Sequence, residues 1–321
     1  MATVVITEFM DIEGVDALRA DFPTLYDPDL VNRPDELAVA LQDCRGLVVR
    51  NRTQVRPDLL AAAPLLEVVG RLGVGLDNID LAACRARGIP VLPATGTNDK
   101  TVADFVMGAV IMMARGGTYH VTGDVLAGRW PRTKLKARDL AGMRIGLIGF
   151  GAIAREVAVR ARAFDMKVAA SDPHVAADDP AWAKLGVARR SFEDMLPDSD
   201  VISVHTPLTS QTRGMLDAAA LARLPKGAFV INSARGGVID EPALVSALRD
   251  GHLGGAMLDV MEGEPLAADS LFVGAPNLYL SPHVAGITHD AVLRASTLTA
   301  ENVRRVLKGL EPKVADAAAT A

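Results

Sequence analysis

Three loops in the second half of the chain put polar side chains directly after apolar runs that read as strands. They are Asn232-Ser-Ala-Arg235-Gly-Gly, Leu258-Asp259-Val-Met-Glu-Gly-Glu264-Pro and Ser281-Pro-His283-Val-Ala-Gly286. Open parallel sheets build their sites at such strand ends. A guanidinium holds a carboxylate by two parallel hydrogen bonds, and the glycines after Arg235 leave room for close approach. A neutral imidazole such as that of His283 takes a proton, and its imidazolium returns it. A third feature lies upstream, where Arg144-Ile-Gly-Leu-Ile-Gly149-Phe-Gly151-Ala-Ile-Ala154 ends an apolar strand in a glycine turn and opens a helix. The first glycine permits the turn, and the second lets a pyrophosphate approach the free N–H groups of the helix start. Ala154 stands where a third glycine is usual and adds only a methyl. The next strand ends in Asp172, about 20 residues on, where a carboxylate accepts from ribose hydroxyls and repels a 2′-phosphate. That favours NAD over NADP. Together a base, a cation for a carboxylate and a nicotinamide are what oxidation of a 2-hydroxy acid needs. Singly, the loop side chains read equally well as solvated groups, and Asp172 as a turn cap before Pro173.

These residues need a scaffold. The chain has 321 residues, half of them apolar, enough for two domains. Short β-rich runs alternate with helical stretches nearly throughout, the pattern of an α/β protein with parallel sheets. Strands are predicted at 4–7, 46–50, 66–70 and 90–93, with helices at 12–20, 34–43, 57–62 and 79–87. A long helix over 101–115, capped by Thr101, leads into a second domain with six strands at 144–150, 168–171, 201–205, 229–232, 255–258 and 278–280. A helix over 291–307 and a frayed tail over 311–321 complete the chain.

Lys and Arg number 34 against 39 Asp and Glu, with no basic run, which excludes a nucleic-acid partner of the usual kind. Glu8, Asp11 and Glu13 interrupt the start where a secretory signal would be basic and then apolar, so export is not expected. The apolar run 102–114 is too short for a membrane span and reads as a buried helix. Cys44 and Cys84 stand in no metal or disulfide pattern, which suggests reduced thiols and a cytoplasmic protein.

The three loops, the glycine turn, Gly70-Arg-Leu-Gly-Val-Gly-Leu-Asp-Asn-Ile-Asp80 and His205-Thr-Pro-Leu-Thr209 together resemble the D-isomer-specific 2-hydroxyacid dehydrogenase family over nearly the whole chain. The resemblance implies two doubly wound parallel-sheet domains. A Rossmann NAD-binding domain, 100–283, is inserted in a flavodoxin-like substrate-binding domain formed by 1–99 and 284–321. It assigns catalysis to Arg235, Glu264 and His283, with Glu264 on the second imidazole nitrogen. The cofactor falls to Gly149, Gly151, Ala152 and Ile153 at the turn and to Asp172 beyond it. His205, Thr206 and Pro207 flank the nicotinamide, His205 as a structural histidine, with Ala234 and Asp259 nearby. Backbone N–H groups near Val74 and Gly75 form a second clamp on the substrate carboxylate.

Relatives resembling phosphoglycerate dehydrogenase generally carry one arginine where this chain has Arg50 and Arg52. The extra cation suggests a second acidic group on the substrate, a phosphate or sulfonate, against the alternative of solvated charge. The stretches 7–11, 26–30 and 50–54 are most similar to the (S)-sulfolactate dehydrogenases of the family, with 3-phosphoglycerate the other candidate. Sulfur outranks the carboxyl carbon in naming, so sulfolactate labelled S has the spatial arrangement of an ordinary D-hydroxy acid. The segment 116–136, with Tyr119, Trp130 and Pro131, corresponds to an arm that packs on a partner subunit, implying a homodimer. The family fold also serves an NADH-binding corepressor, and that alternative class stays open here.

Overall fold

A computed structural model describes residues 2–135, 137–314, 316 and 317, and the chain divides into two compact units, Met1–Asn98 with Ile287–Ala321, and Asp99–Gly286. In the first unit, strands β1 (Val4–Ile6), β2 (Thr24–Tyr26), β3 (Gly46–Val49), β4 (Val68–Arg71) and β5 (Val91–Pro93) form a sheet in the order β2-β1-β3-β4-β5. Every pairing is parallel. Continuous runs such as Val4-Val-Ile and Gly46-Leu-Val-Val suit strands covered on both faces. Alternate side chains divide between two cores: Val5, Leu47, Val49, Val69 and Val91 pack on one face, and Val4, Ile6, Val48, Val68 and Leu92 on the other.

The second face is covered by the helix His289–Leu307, whose Ala300, Val303 and Leu307 enter the core. Thr288 caps it, its hydroxyl accepting from Ala291 N at 3.1 Å, so the helix starts earlier than the apolar spacing predicts. Gly70 sets how closely this helix approaches the sheet. A Cβ there would stand 2.7 Å from Val303 Cγ2 and 2.8 Å from Thr299 Cγ2.

The expectation of a frayed tail is corrected for 311–314, 316 and 317. Lys313 N donates to Asn302 Oδ1 at 2.7 Å, Asp316 Oδ1 accepts from Val91 N on the edge strand at 2.9 Å, and Val314 and Ala317 pack on the two cores. Residues 315 and 318–321, and residue 136 at the end of the proposed arm, lie outside the described residues.

The second unit holds β6 (Arg144–Ile148), β7 (Lys167–Ser171), β8 (Ala188–Arg189), β9 (Val201–Val204), β10 (Ala228–Asn232), β11 (Leu253–Leu258) and β12 (Leu278–Leu280) in the order β12-β11-β10-β9-β6-β7-β8. All pairings are again parallel. Successive strands are added outward from β6 on one side and from β9 on the other, so the winding reverses between them, where such sheets open a crevice. Two strands more than predicted are present among the described residues, β2 in the first unit and the two-residue β8 in the second. The linking helix runs Asp99–Ala114 and buries Val102, Val106, Val110 and Met113. Thr101 is itself buried inside it rather than capping it, because the helix begins at Asp99, an acid suited to the first turn. Among the described residues no helix is long and apolar enough to cross a membrane.

Replacing Gly70 by alanine should cost about 1–3 kcal/mol of stability, as overpacking does in tight cores. Equilibrium denaturation of the variant checks this, and an unchanged midpoint would show that the helix can give way.

Candidate active site

The second unit builds its glycine turn at the crevice. The chain leaves β6 and turns at Gly149, φ +93°, where a Cβ would lie 2.6 Å from the carbonyl oxygen of His205. Gly151 has ordinary φ, and a Cβ there would meet nothing within 4 Å. It therefore faces open space, as close approach of a ligand requires. The N–H groups of Gly151, Ala152 and Ile153 have no acceptor among the described residues. They open the 12-residue helix Ala152–Ala163, whose dipole favours an anion at this end. Ala154 is fully buried against the sheet, which accounts for its small size. These features fit a dinucleotide pyrophosphate.

Asp172, after β7, does more than mark a strand end. Its Oδ2 accepts from Phe150 N and its Oδ1 from His174 N, both at 2.8 Å, so the carboxylate stiffens the glycine turn itself. His205, after β9, meets the Ser203 hydroxyl through Nε2 at 2.9 Å, and burial pushes its pKa down to about 4. It is a neutral imidazole, followed by Thr206 and the exposed Pro207.

Arg235, Glu264 and His283 leave the neighbouring strands β10, β11 and β12. Asn232 shapes the first loop: its Oδ1 accepts from Ala234 N at 3.0 Å and its Nδ2 donates to Arg235 O at 2.8 Å. Arg235 Nη1 donates to Ala234 O at 2.7 Å. A Cβ on Gly236 would come within 2.2 Å of the Met261 backbone, so only glycine lets the Arg235 loop lie against the segment that carries Glu264. Glu264 is held in turn, its Oε1 accepting from Met261 N at 3.0 Å while its Oε2 faces His283 Nδ1 at 2.9 Å. The Glu262 N–H is bound at 2.7 Å by Glu241, a buried acid raised in pKa by that burial. Sequence reading misses Glu241, which sits in a helix first turn and looks like an ordinary terminal charge.

His283 has φ +56°, the left-handed region that a β-substituted residue seldom occupies. Its N–H donates to the backbone oxygens of Asp259, at 2.8 Å, and Ser281, at 3.0 Å. The Asp259 side chain, 1% exposed, accepts from Ser281 Oγ at 2.5 Å and from Val284 N and Ala285 N, each at 2.8 Å. Expected beside the cofactor, Asp259 has both carboxylate oxygens engaged by the loop of His283. Among the described residues nothing hydrogen-bonds to His283 Nε2. A carboxylate on Nδ1 places the proton there and leaves the Nε2 lone pair for chemistry.

In the first unit, the loop after β3 carries Arg50 and Arg52. The buried carboxylate of Glu8 gathers four consecutive backbone N–H groups of that loop: Arg50 N at 2.8 Å and Thr53 N at 3.0 Å on Oε1, Arg52 N at 3.0 Å and Asn51 N at 3.3 Å on Oε2. Burial opposes its ionisation, but these donors prevail and hold it below the usual carboxylate range. Thr7 and Thr53 hydroxyls pair at 2.7 Å, and Asn78 Nδ2 donates to Thr53 O at 2.7 Å, tying this loop to the one that carries Val74 and Gly75. The Val74 and Gly75 N–H groups have no acceptor among the described residues. The two arginines part company. Arg52 is exposed and its guanidinium donates to Asn32 Oδ1. Arg50 is half-buried in a pocket with Phe9, Leu72, Val292, Ala295 and Ser296, and burial lowers its pKa.

A glycine cradle at the reversal of a doubly wound sheet, with a carboxylate–imidazole pair at the neighbouring strand ends, defines a dinucleotide-dependent dehydrogenase. The family model described as D-isomer specific 2-hydroxyacid dehydrogenase, NAD binding domain, matches residues 107–285. The chain is 48% identical over 307 residues to (S)-sulfolactate dehydrogenase of Chromohalobacter salexigens, covering 96% of this chain and 99% of that one. It is 36% identical over 314 residues to D-3-phosphoglycerate dehydrogenase of Bacillus subtilis, covering 97% of this chain and 58% of that longer protein. D-lactate dehydrogenase of Aquifex aeolicus, solved with NAD and lactic acid, superposes with a TM-score of 0.83 at 27% identity over 95% of this chain and 96% of that one. The chain belongs to the D-isomer-specific 2-hydroxyacid dehydrogenase family and is an NAD-dependent oxidoreductase of 2-hydroxy acids.

The neutral state of His205 has a measurable consequence. Its folded pKa of about 4 lies below the ordinary imidazole value of 6.5, so between those values the unfolded chain binds a proton that the folded chain refuses. Acidification through that window therefore costs stability, and His205→Gln should lose less of it than the parent between pH 6.5 and 4. Parallel losses in thermal unfolding would show that His205 is not held neutral.

Proposed function

We propose that the protein interconverts a D-configured 2-hydroxy acid bearing a second anionic group, (S)-3-sulfolactate, and its 2-oxo acid, with Arg235, Glu264 and His283 as the catalytic set. The observation that carries the chemistry is the Glu264–His283 contact at 2.9 Å with Nε2 left uncommitted. NAD supplies the hydride acceptor for oxidation and, as NADH, the donor for reduction. In oxidation the C2 hydroxyl proton passes to His283 Nε2 as hydride leaves C2. In reduction the same nitrogen returns the proton to the carbonyl oxygen. Glu264 stabilises the imidazolium that forms. Arg235 holds the C1 carboxylate by paired hydrogen bonds, so that C2 is oriented as well as bound. The named relatives are dehydrogenases, which supports this reading over the corepressor one.

Arg50 takes the second anionic group, and its surroundings favour a sulfonate. The other residues of its pocket are uncharged, and Arg52 is engaged at the surface. A phosphate carries about −1.5 to −2 charges at neutral pH, and one guanidinium leaves part of that charge unpaired in a half-buried site. A sulfonate carries a single charge, which one guanidinium matches. The name of the Chromohalobacter relative supports the same substrate. Tyr119, Leu126 and Trp130, the latter two 84% and 69% exposed, fit a homodimer contact. Buried, unpaired Cys44 and Cys84 suit a reducing cytoplasm.

Steady-state reduction followed by NADH absorbance tests both parts. His283→Ala should lower turnover about 100-fold or more with NADH binding retained, as loss of general acid–base catalysis does. Near-normal turnover would remove His283 from its role. Arg50→Ala should raise KM for 3-sulfopyruvate about ten- to a hundredfold more than for pyruvate, the size of a lost charge-assisted hydrogen bond. Equal changes on both acids would return the substrate to an unspecified small 2-hydroxy acid.

A further inference from the structure

Arg50 is useful as an anion receptor only if its own protein does not neutralise it, and only if its backbone is fixed. Both conditions trace to Glu8. The carboxylate is 4% exposed and follows β1, the strand paired with β3, whose end launches the Arg50 loop. Its two oxygens are engaged by the four N–H groups of residues 50–53, and Asn78 Nδ2 braces the same loop by donating to Thr53 O. Consecutive N–H groups converging on one point form a natural anion receptor, here satisfied from within the chain. Because those oxygens serve the backbone, they form no ion pair with the Arg50 guanidinium, which has no hydrogen-bond acceptor among the described residues. The negative charge nonetheless acts at a distance and favours the charged guanidinium against the cost of its burial. The next residue, Phe9, supplies a wall of the pocket, so a single bend after β1 sets both the loop and the wall.

We propose that Glu8 is the positioning residue of the anion subsite: by clamping the backbone of residues 50–53 it holds Arg50 oriented and unneutralised, and so sets the preference for substrates with a second anionic group. This rests on the assignment of Arg50 to that group.

A carboxamide keeps one acceptor oxygen and turns an NH2 toward two of the four N–H donors, so Glu8→Gln should release half of the clamp. Reduction of 3-sulfopyruvate and of pyruvate by the NADH-saturated enzyme reads the effect. The KM ratio of pyruvate to 3-sulfopyruvate should fall about tenfold in Glu8→Gln. It should fall by less in Glu8→Asp, which keeps the charge on a shorter arm and decides the matter if the glutamine variant does not fold. In the Arg50→Ala background, Glu8→Gln should change the ratio no further, because it acts through Arg50. An unchanged ratio in both Glu8 variants, alongside a changed one in Arg50→Ala, overturns the role of Glu8 and leaves the substrate reading standing. An additive loss in the double variant also overturns it. An unchanged ratio in Arg50→Ala overturns the substrate reading and this inference with it.

Discussion

A chain leaving the end of a buried parallel strand carries N–H groups that the sheet no longer pairs, and leaving them buried and unpaired is costly. Much of this architecture follows from how this chain satisfies them. At three strand ends an acid is the acceptor. Asp172 holds the glycine turn through Phe150 N, Asp259 holds the His283 loop through Val284 N and Ala285 N, and Glu8 holds four donors of the Arg50 loop. A carboxylate suits the task because it only accepts and can take several donors at once. The functional loops are thereby rigid without belonging to any helix or strand.

Rigid loops allow a division of labour among neighbours on one sheet. β10, β11 and β12 lie side by side, so their following loops converge without long excursions. Glycine at 236 removes the last obstacle between the first two, and the Glu264–His283 hydrogen bond joins the second to the third. Arg235 and His283 are therefore positioned by parts of the chain about 50 residues apart in sequence, yet only one strand spacing is needed between adjacent loops.

The alternation of elements, the parallel pairing and the glycine turn are legible in the sequence because each leaves a local signature: an apolar run, a helical spacing, a turn that needs positive φ at Gly149. What sequence does not reveal depends on partners far along the chain. β2 and β8 are short and not fully buried, so no hydrophobic run announces them. Glu8 reads only as a charge that argues against a leader peptide, since its donors lie 42 to 45 residues away. Arg50 and Arg52 look equivalent on paper and are separated by burial and by the contact of Arg52 with Asn32. The tail composition suggests fraying, yet Asp316 finds the free N–H at the start of the edge strand.

The left-handed backbone of His283 changes what inactivation means for such a site. An imidazole on an unstrained loop would stay in place whatever became of its supports. Here the rare conformation persists only while Asp259 and its hydrogen bonds enforce it. Release of that loop would let residue 283 rotate to a commoner φ and carry the ring away from Glu264. With His283 in the proposed role of base, activity would be governed by the fraction of molecules in which a single backbone torsion is held uphill, as well as by the proton carried on the ring.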